Sequence, residues 1–185
     1  MTTDSHIKSL QTKIAEHSDQ EAFKELYYLL YKDLFRFARI FIPQKELAEE
    51  VLQDVFTKVW LQSEQLLAVN NLKVYLYTAA KNSAINYQKK YPLQLLTKPD
   101  LSAIELSYGS RTPEELMISA QTIAGINKAI QLLPPKCKLI FLMVKEDQLK
   151  YKEVAQILNI SLKTVEAQMG IAIKKLGAAS LFNLS

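Results

Sequence analysis

The stretch YKEVAQILNISLKTVEAQMGIAIKKL, Tyr151 to Leu176, constrains this chain more than any other part, because it reads as two helices with one sharp break. Val154, Ala155, Ile157 and Leu158 recur at helical spacing. Asn159 then tolerates a left-handed conformation, and Ser161 offers a side-chain oxygen to cap a new helix. In that second helix Leu162, Val165, Met169, Ala172 and Leu176 lie three and four apart and predict one buried stripe, joined by Ile173. The opposite face carries Lys163, Thr164, Ala167, Gln168, Gly170, Ile171, Lys174 and Lys175. This is the pattern of a helix-turn-helix, with small Ala155 where the two helices cross and the second helix offering its outer face to a DNA major groove. A plain αα-hairpin with a solvated lysine face has the same pattern, so this segment alone leaves both open.

The remainder of the chain narrows the field. With 185 residues, 49% of them hydrophobic, it can bury a sizeable core as one domain or two small ones. Helical spacing almost throughout, few glycines and prolines and no alternating apolar runs predict an all-α protein. The opening MTTDSHIKSLQTK has no apolar core of signal-peptide type, and no apolar run approaches the ~20 residues of a membrane span. A cytoplasmic protein without membrane insertion is expected. The lone Cys137 excludes an internal disulfide; Lys136 and Lys138 beside it would favour a reactive thiolate, whereas burial would make it an ordinary thiol. His6 and His17 lack companions at metal-ligand spacing, so no metal or cofactor is expected. With no Gly-rich phosphate loop, nucleophile elbow or ligand cluster, catalysis is the weakest class of function, and no catalytic residue is proposed. The net charge of +4 is compatible with nucleic acid without demanding it.

Two helical blocks and a linker are expected. Ser18 with Glu21 forms a capping box ahead of a helix from about Gln20 to Ile42, with Phe23, Leu26, Leu30, Leu34, Phe37 and Phe41 on one face. Pro43 closes it. A second helix runs from Gln44 to Trp60 with Leu47, Val51, Leu52, Val55 and Val59 inward; QSEQLLAVNN is a loop; a third helix runs from Leu72 to the basic pair Lys89 and Lys90. Periodicity fails over residues 92–111, which read as an irregular linker. Thr112, Pro113 and Glu115 then start a helix that continues to Leu133, and after Pro134 and Pro135 the next spans Lys136 to Lys145. The expected domains are therefore residues 1–91 and 112–185, joined by 92–111.

The order AFKELYYLLYKDLFRFAR, ELAEEVLQDVFTKVW, LKVYLYTAAKNSAINYQKK, an irregular linker, then LPPKCKLIFLMVKEDQLKYKEVAQILNISLKTVEAQMGIAIKKL resembles an extracytoplasmic-function sigma factor over nearly everything from Gln20 to Leu176. The style of TVEAQMGIAIKKL is similar to members from Bacteroidetes-type bacteria. The resemblance implies a non-catalytic initiation factor. Its first domain would bind core RNA polymerase and open the minus-ten element, and its last would read the minus-thirty-five element of promoter DNA. Contacts to the polymerase clamp coiled coil and flap are implied, as is inhibition by a membrane-linked anti-sigma factor.

Matched residue by residue, LQDVF places Gln53 and Asp54 at the clamp contact, with a mere Asp54–Lys58 pairing at i,i+4 as the alternative. Lys81 and Asn82 stand where the family has an arginine-asparagine pair, and Tyr75, Thr78 and Lys89 join them on a face suited to an opened DNA strand; as the alternative, Tyr75 and Tyr77 are core aromatics. Asn86 replaces a frequent Asp. The loop from Gln62 to Asn71 corresponds to the family's base-capturing segment, without a sharp pocket candidate. For the minus-thirty-five element the candidates are Lys150, Lys163, Thr164, Gln168, Ile171, Lys174 and Lys175. Gln168 suits adenine and Ile171 a thymine methyl, Gly170 allows close approach to the DNA backbone, and Lys150 stands where a capping Ser is frequent. Two other readings share parts of this pattern: a helix-turn-helix regulator of the response-regulator type, which needs an N-terminal α/β receiver, and a helical adaptor that binds only proteins.

Overall fold

A computed structural model describes residues 3–91 and 128–182, with side chains over 4–91 and 128–177. All the regular elements among them are helical. The chain divides into two compact units, Met1–Asp100 and Leu101–Ser185. The expected linker 92–111, and the helix expected from Thr112 as far as residue 127, lie outside the described residues.

The first unit contains α1 (Thr3–His17), α2 (Gln20–Phe41), α3 (Lys45–Leu61), a 3-10 turn (Ser63–Ala68) and α4 (Leu72–Lys90). Helix α2 is the hub and packs on α1, α3 and α4. Its Leu26, Leu30, Leu34 and Phe37 are almost completely buried, and such side chains each contribute about 1.5–3 kcal/mol. Phe23 and Tyr27 meet Phe56 and Trp60 of α3, with Phe23 to Trp60 at 5.0 Å and Tyr27 to Phe56 at 4.8 Å between ring centroids. Phe37 meets Tyr77 of α4 at 5.1 Å. Phe23, Phe41 and Leu47 are only half-buried, at the rim of the stripes to which their spacing assigned them.

Helix α2 ends where Pro43, which has no N–H, forces Ile42 into an extended conformation. The last α2 carbonyl, that of Phe41, accepts a hydrogen bond from the Gln88 amide of α4. At the other end the capping expectation is corrected. Asp19, not Ser18, is the cap and accepts the Ala22 N–H at 3.0 Å, while Ser18 takes a left-handed φ of 49° in the turn between helices. The sequence also did not reveal α1 as a helix. Its Ile7, Leu10 and Ile14 form a narrow stripe in a polar segment, buried only because α2 and the 3-10 turn cover it. The 62–71 loop likewise contains a 3-10 turn closed over buried Leu66.

The second unit contains the helical residues 128–131, α5 (Pro135–Lys145), α6 (Tyr151–Leu158) and α7 (Leu162–Phe182). The expected helix end at Leu133 is corrected by two residues: Leu132 and Leu133 form the turn before Pro134. Helix α7 packs on α5 and α6, burying Val165, Met169 and Ala172. Ile173 is a correction: it is 58% exposed, because at about 100° per residue it lies off the Val165–Met169–Ala172 line. Leu162 and Leu176 are half-buried at the ends of that line.

Candidate nucleic-acid and polymerase interfaces

The turn between α6 and α7 is built from its own residues. Asn159 caps α6 in the left-handed conformation, φ 54° and ψ 52°. Ser161 Oγ accepts the Thr164 N–H at 3.1 Å and lies 2.8 Å from Thr164 Oγ1. At the start of α6 the Lys150 N–H donates to Glu153 Oε2 at 2.7 Å, half of a capping box; an ammonium has no lone pair with which to return the bond. The Lys150 side chain is exposed.

On α7 Lys163, Ile171, Lys174 and Lys175 are exposed, and Thr164 and Gln168 are half-buried. These six share one side of the helix, an arc of roughly 140° at about 100° per residue. Thr164 differs from the rest because its hydroxyl already pairs with Ser161. A Cβ placed on Gly170 would meet nothing within 4 Å, so the protein itself does not require glycine there. Beneath the face, fully buried Cys137 donates from Sγ to the Gln168 carbonyl at 3.2 Å. Burial pushes the Cys137 thiol above its ordinary range, opposed by Lys175. The flanking lysines do not make it a thiolate: Lys138 is itself buried and donates to Gln131 Oε1.

In the first unit Gln53 and Asp54 are exposed between buried Leu52 and Val55. Among the described residues α3 carries a Lys45–Glu49 contact at 3.8 Å, and no ion pair joins Asp54 to Lys58. On α4 Tyr75, Asn82 and Lys89 are exposed, and Thr78 and Lys81 are half-buried. The two tyrosines separate: Tyr75 is 39% exposed, whereas Tyr77 is fully buried and belongs to the core. Asn71 Oδ1 caps α4 by accepting the Val74 N–H at 3.0 Å. Just before it, the 3-10 turn leaves Leu67 exposed beside buried Leu66.

Sequence reasoning missed Gln11. This α1 residue is buried and donates to the carbonyls of Leu66 at 2.5 Å and Val69 at 2.7 Å. The available signal was a glutamine set within the Ile7–Leu10–Ile14 stripe. His6 meets Glu25 at 2.8 Å, and no group of three or more potential metal ligands gathers among the described residues. No helix among them is long and apolar enough to cross a membrane.

A capped helix-turn-helix with an exposed cationic face, in a chain whose other unit is a helical bundle, is the fold of an all-helical protein with a surface suited to nucleic acid. The helical first unit has no place for an α/β receiver in residues 3–91. Residues 26–91 match the family model for sigma-70 region 2, and residues 124–176 match that for sigma-70 region 4. Together these take in more than half of the chain, which belongs to the sigma-70 family, in its extracytoplasmic-function group.

Its relatives include the ECF RNA polymerase sigma factor SigM of Bacillus subtilis (strain 168), 24% identical over 74% of this chain and 82% of SigM. Another is SigW of the same organism, 23% identical over 85% of this chain and 88% of SigW. Among solved structures, the sigma factor RpoE in complex with the anti-sigma factor NepR from Bartonella quintana has a similar fold, with a TM-score of 0.56 at 19% identity over 85% of this chain and 95% of that one.

Proposed function

We propose that this protein is an alternative sigma factor that binds core RNA polymerase and directs promoter-specific initiation of transcription. The observation that carries the reading is the presence of both sigma-70 regions in one chain, each falling on one of its two helical units. In this reading the protein supplies specificity to the polymerase and catalyses nothing itself. Gln53 and Asp54 meet the clamp coiled coil, and the second unit meets the flap. Tyr75, Thr78, Lys81, Asn82 and Lys89 face the opened minus-ten strand, where aromatic faces stack on bases and cations pair with phosphates. The 62–71 segment, which leads into α4, captures a base.

At the minus-thirty-five element Lys150, Lys163, Lys174 and Lys175 neutralise phosphates, Thr164 contacts the DNA near the helix start, and Gln168 and Ile171 meet base edges. The exposure of Lys150, Lys163, Ile171, Lys174 and Lys175 supports the assignment; Gln168 is half-buried on the same side of the helix, and Thr164 is the weakest member because its hydroxyl is engaged. An anti-sigma factor, membrane-linked, holds the protein inactive in the cytoplasm; the sigma factor RpoE, whose solved structure has a similar fold, is in complex with an anti-sigma factor in that structure. Run-off transcription with purified core polymerase and this protein, on fragments of the source genome, tests the reading. Discrete starts that depend on the protein are expected, and their absence with core binding intact would leave an adaptor.

A further inference from the structure

We infer that Gln11 is a positioning residue for promoter recognition, holding the turn between α3 and α4 in the shape that it presents to DNA; the inference rests on the sigma-factor reading above. Gln11 is 1% exposed and sits on α1, an element to which no DNA contact is assigned. Its amide has two N–H bonds, and both are used: one to the Leu66 carbonyl and one to that of Val69, across 55 and 58 residues of sequence. Its own carbonyl oxygen faces Lys8 Nζ at 3.4 Å. Two acceptors at one end and an ammonium at the other fix which end of the amide is which.

The turn that receives these bonds packs on α1 and buries little of its own. Six residues of 3-10 helix are longer than such helices usually run, and within Ser63–Ala68 the single buried side chain is that of Leu66. The Leu66 carbonyl also accepts the Val69 N–H at 3.0 Å, so Gln11 fastens the place where the turn closes. Leu66 is 2% exposed and Leu67 55%, which means that a slip of one residue would swap the buried leucine for the outward one. Asn70 and Asn71 follow directly, and Asn71 caps α4, the helix of the minus-ten face. A recognition loop is as accurate as the shell that supports it, and here that shell is α1, whose apolar stripe packs on the turn and whose Gln11 amide fastens its closing carbonyls.

Gln11→Met keeps side-chain length and removes both donors. In the full-length protein with core polymerase, its affinity for core and for the minus-thirty-five element should stay at the wild-type value. The preference of open-complex formation for the best minus-ten base over its substitutions should fall by about tenfold, the scale of a lost buried hydrogen-bond network. Amide exchange should rise at Val69 and its neighbours in the turn, and not along α2. A wild type that shows no preference among minus-ten variants would sink the sigma-factor reading and this inference with it. A wild type that discriminates, beside a Gln11→Met protein that discriminates equally, would overturn the role of Gln11 alone. Should Gln11→Met fail to melt cooperatively, Gln11→Asn, whose amide is one methylene too short to reach both carbonyls, carries the same comparison. Unfolding of both variants would likewise overturn the inference, since Gln11 would then support the whole unit and not the turn.

Discussion

The Cys137 thiol donates to the backbone carbonyl of Gln168 at 3.2 Å, which seats the middle of α7 on α5 directly under the residue proposed to read a base. Burial raises the thiol above its ordinary value of 9.0, with Lys175 pulling the other way. A raised pKa in the folded state means that the stabilising contribution is complete below the unfolded value and is lost as pH rises through the folded one. The native thiol should therefore react with a disulfide reagent at pH 8 far more slowly than the denatured chain. Stability of the second unit should fall as pH climbs past the ordinary thiol range, and Cys137→Ala should abolish that component. Equal labelling rates for native and denatured protein would refute the burial argument.

Phosphate contacts and base contacts on α7 separate by their response to sequence. Replacing Lys163, Lys174 or Lys175 by Ala should weaken binding about equally for all minus-thirty-five variants and flatten the salt dependence. Gln168→Ala or Ile171→Ala should instead cost ~1–3 kcal/mol at one base pair and relax the preference there. The measurement is promoter affinity across single-base variants at several salt concentrations. A uniform loss for Gln168→Ala would make it a positioning residue.

Gly170 offers a cleaner contrast between the protein and its partner. Because a Cβ there meets nothing within 4 Å, Gly170→Ala should stabilise the helix by about 0.5–1 kcal/mol in thermal unfolding. If DNA backbone approaches this point, the same change should lower promoter affinity for every sequence alike. A more stable variant with unchanged affinity would place the DNA elsewhere.

The two tyrosines of α4 should part in the same way. Tyr77→Ala empties a fully buried site and should cost about 3–5 kcal/mol of stability, as large aromatic truncations do. Tyr75→Ala should leave the melting temperature nearly unchanged and weaken binding of a single-stranded minus-ten oligonucleotide by ~1–3 kcal/mol if a base stacks on it. Fluorescence anisotropy with that oligonucleotide, beside circular dichroism, reads both.

Gln53 and Asp54 have no share in the core, so the Gln53→Ala/Asp54→Ala protein should melt within about 0.5 kcal/mol of wild type. Its affinity for core polymerase should fall, measured by competition with a labelled sigma factor. Undiminished competition would remove the pair from the interface.

The parts legible in the sequence are those whose chemistry is local. Asn159 and Ser161 marked the helix-turn-helix because a left-handed cap and an N-cap involve only residues a few positions away. Pro43 and the Pro134–Pro135 pair marked helix boundaries because a missing N–H acts where it stands. The Asp19 cap was misassigned to Ser18 by one residue, since Glu21 completes a capping box for Ser18 and Asp19 has only Ala22 at that spacing, whereas the left-handed backbone of Ser18 leaves the cap to Asp19.

By itself the sequence determined the helical class, the order of the α2–α4 block and the helix-turn-helix, and which face of α7 carries lysines, because periodicity and capping are properties of neighbouring residues. Only the tertiary structure decided that residues 3–17 form a helix, that Gln11 fastens a turn 55 residues away, that Cys137 and Lys138 are buried, and that Ile173 faces outward. The reason is that burial and long-range hydrogen bonding depend on what another segment brings to the same place. A polar residue such as Gln11 is buried only where partners across the fold accept its protons, here the carbonyls of Leu66 and Val69.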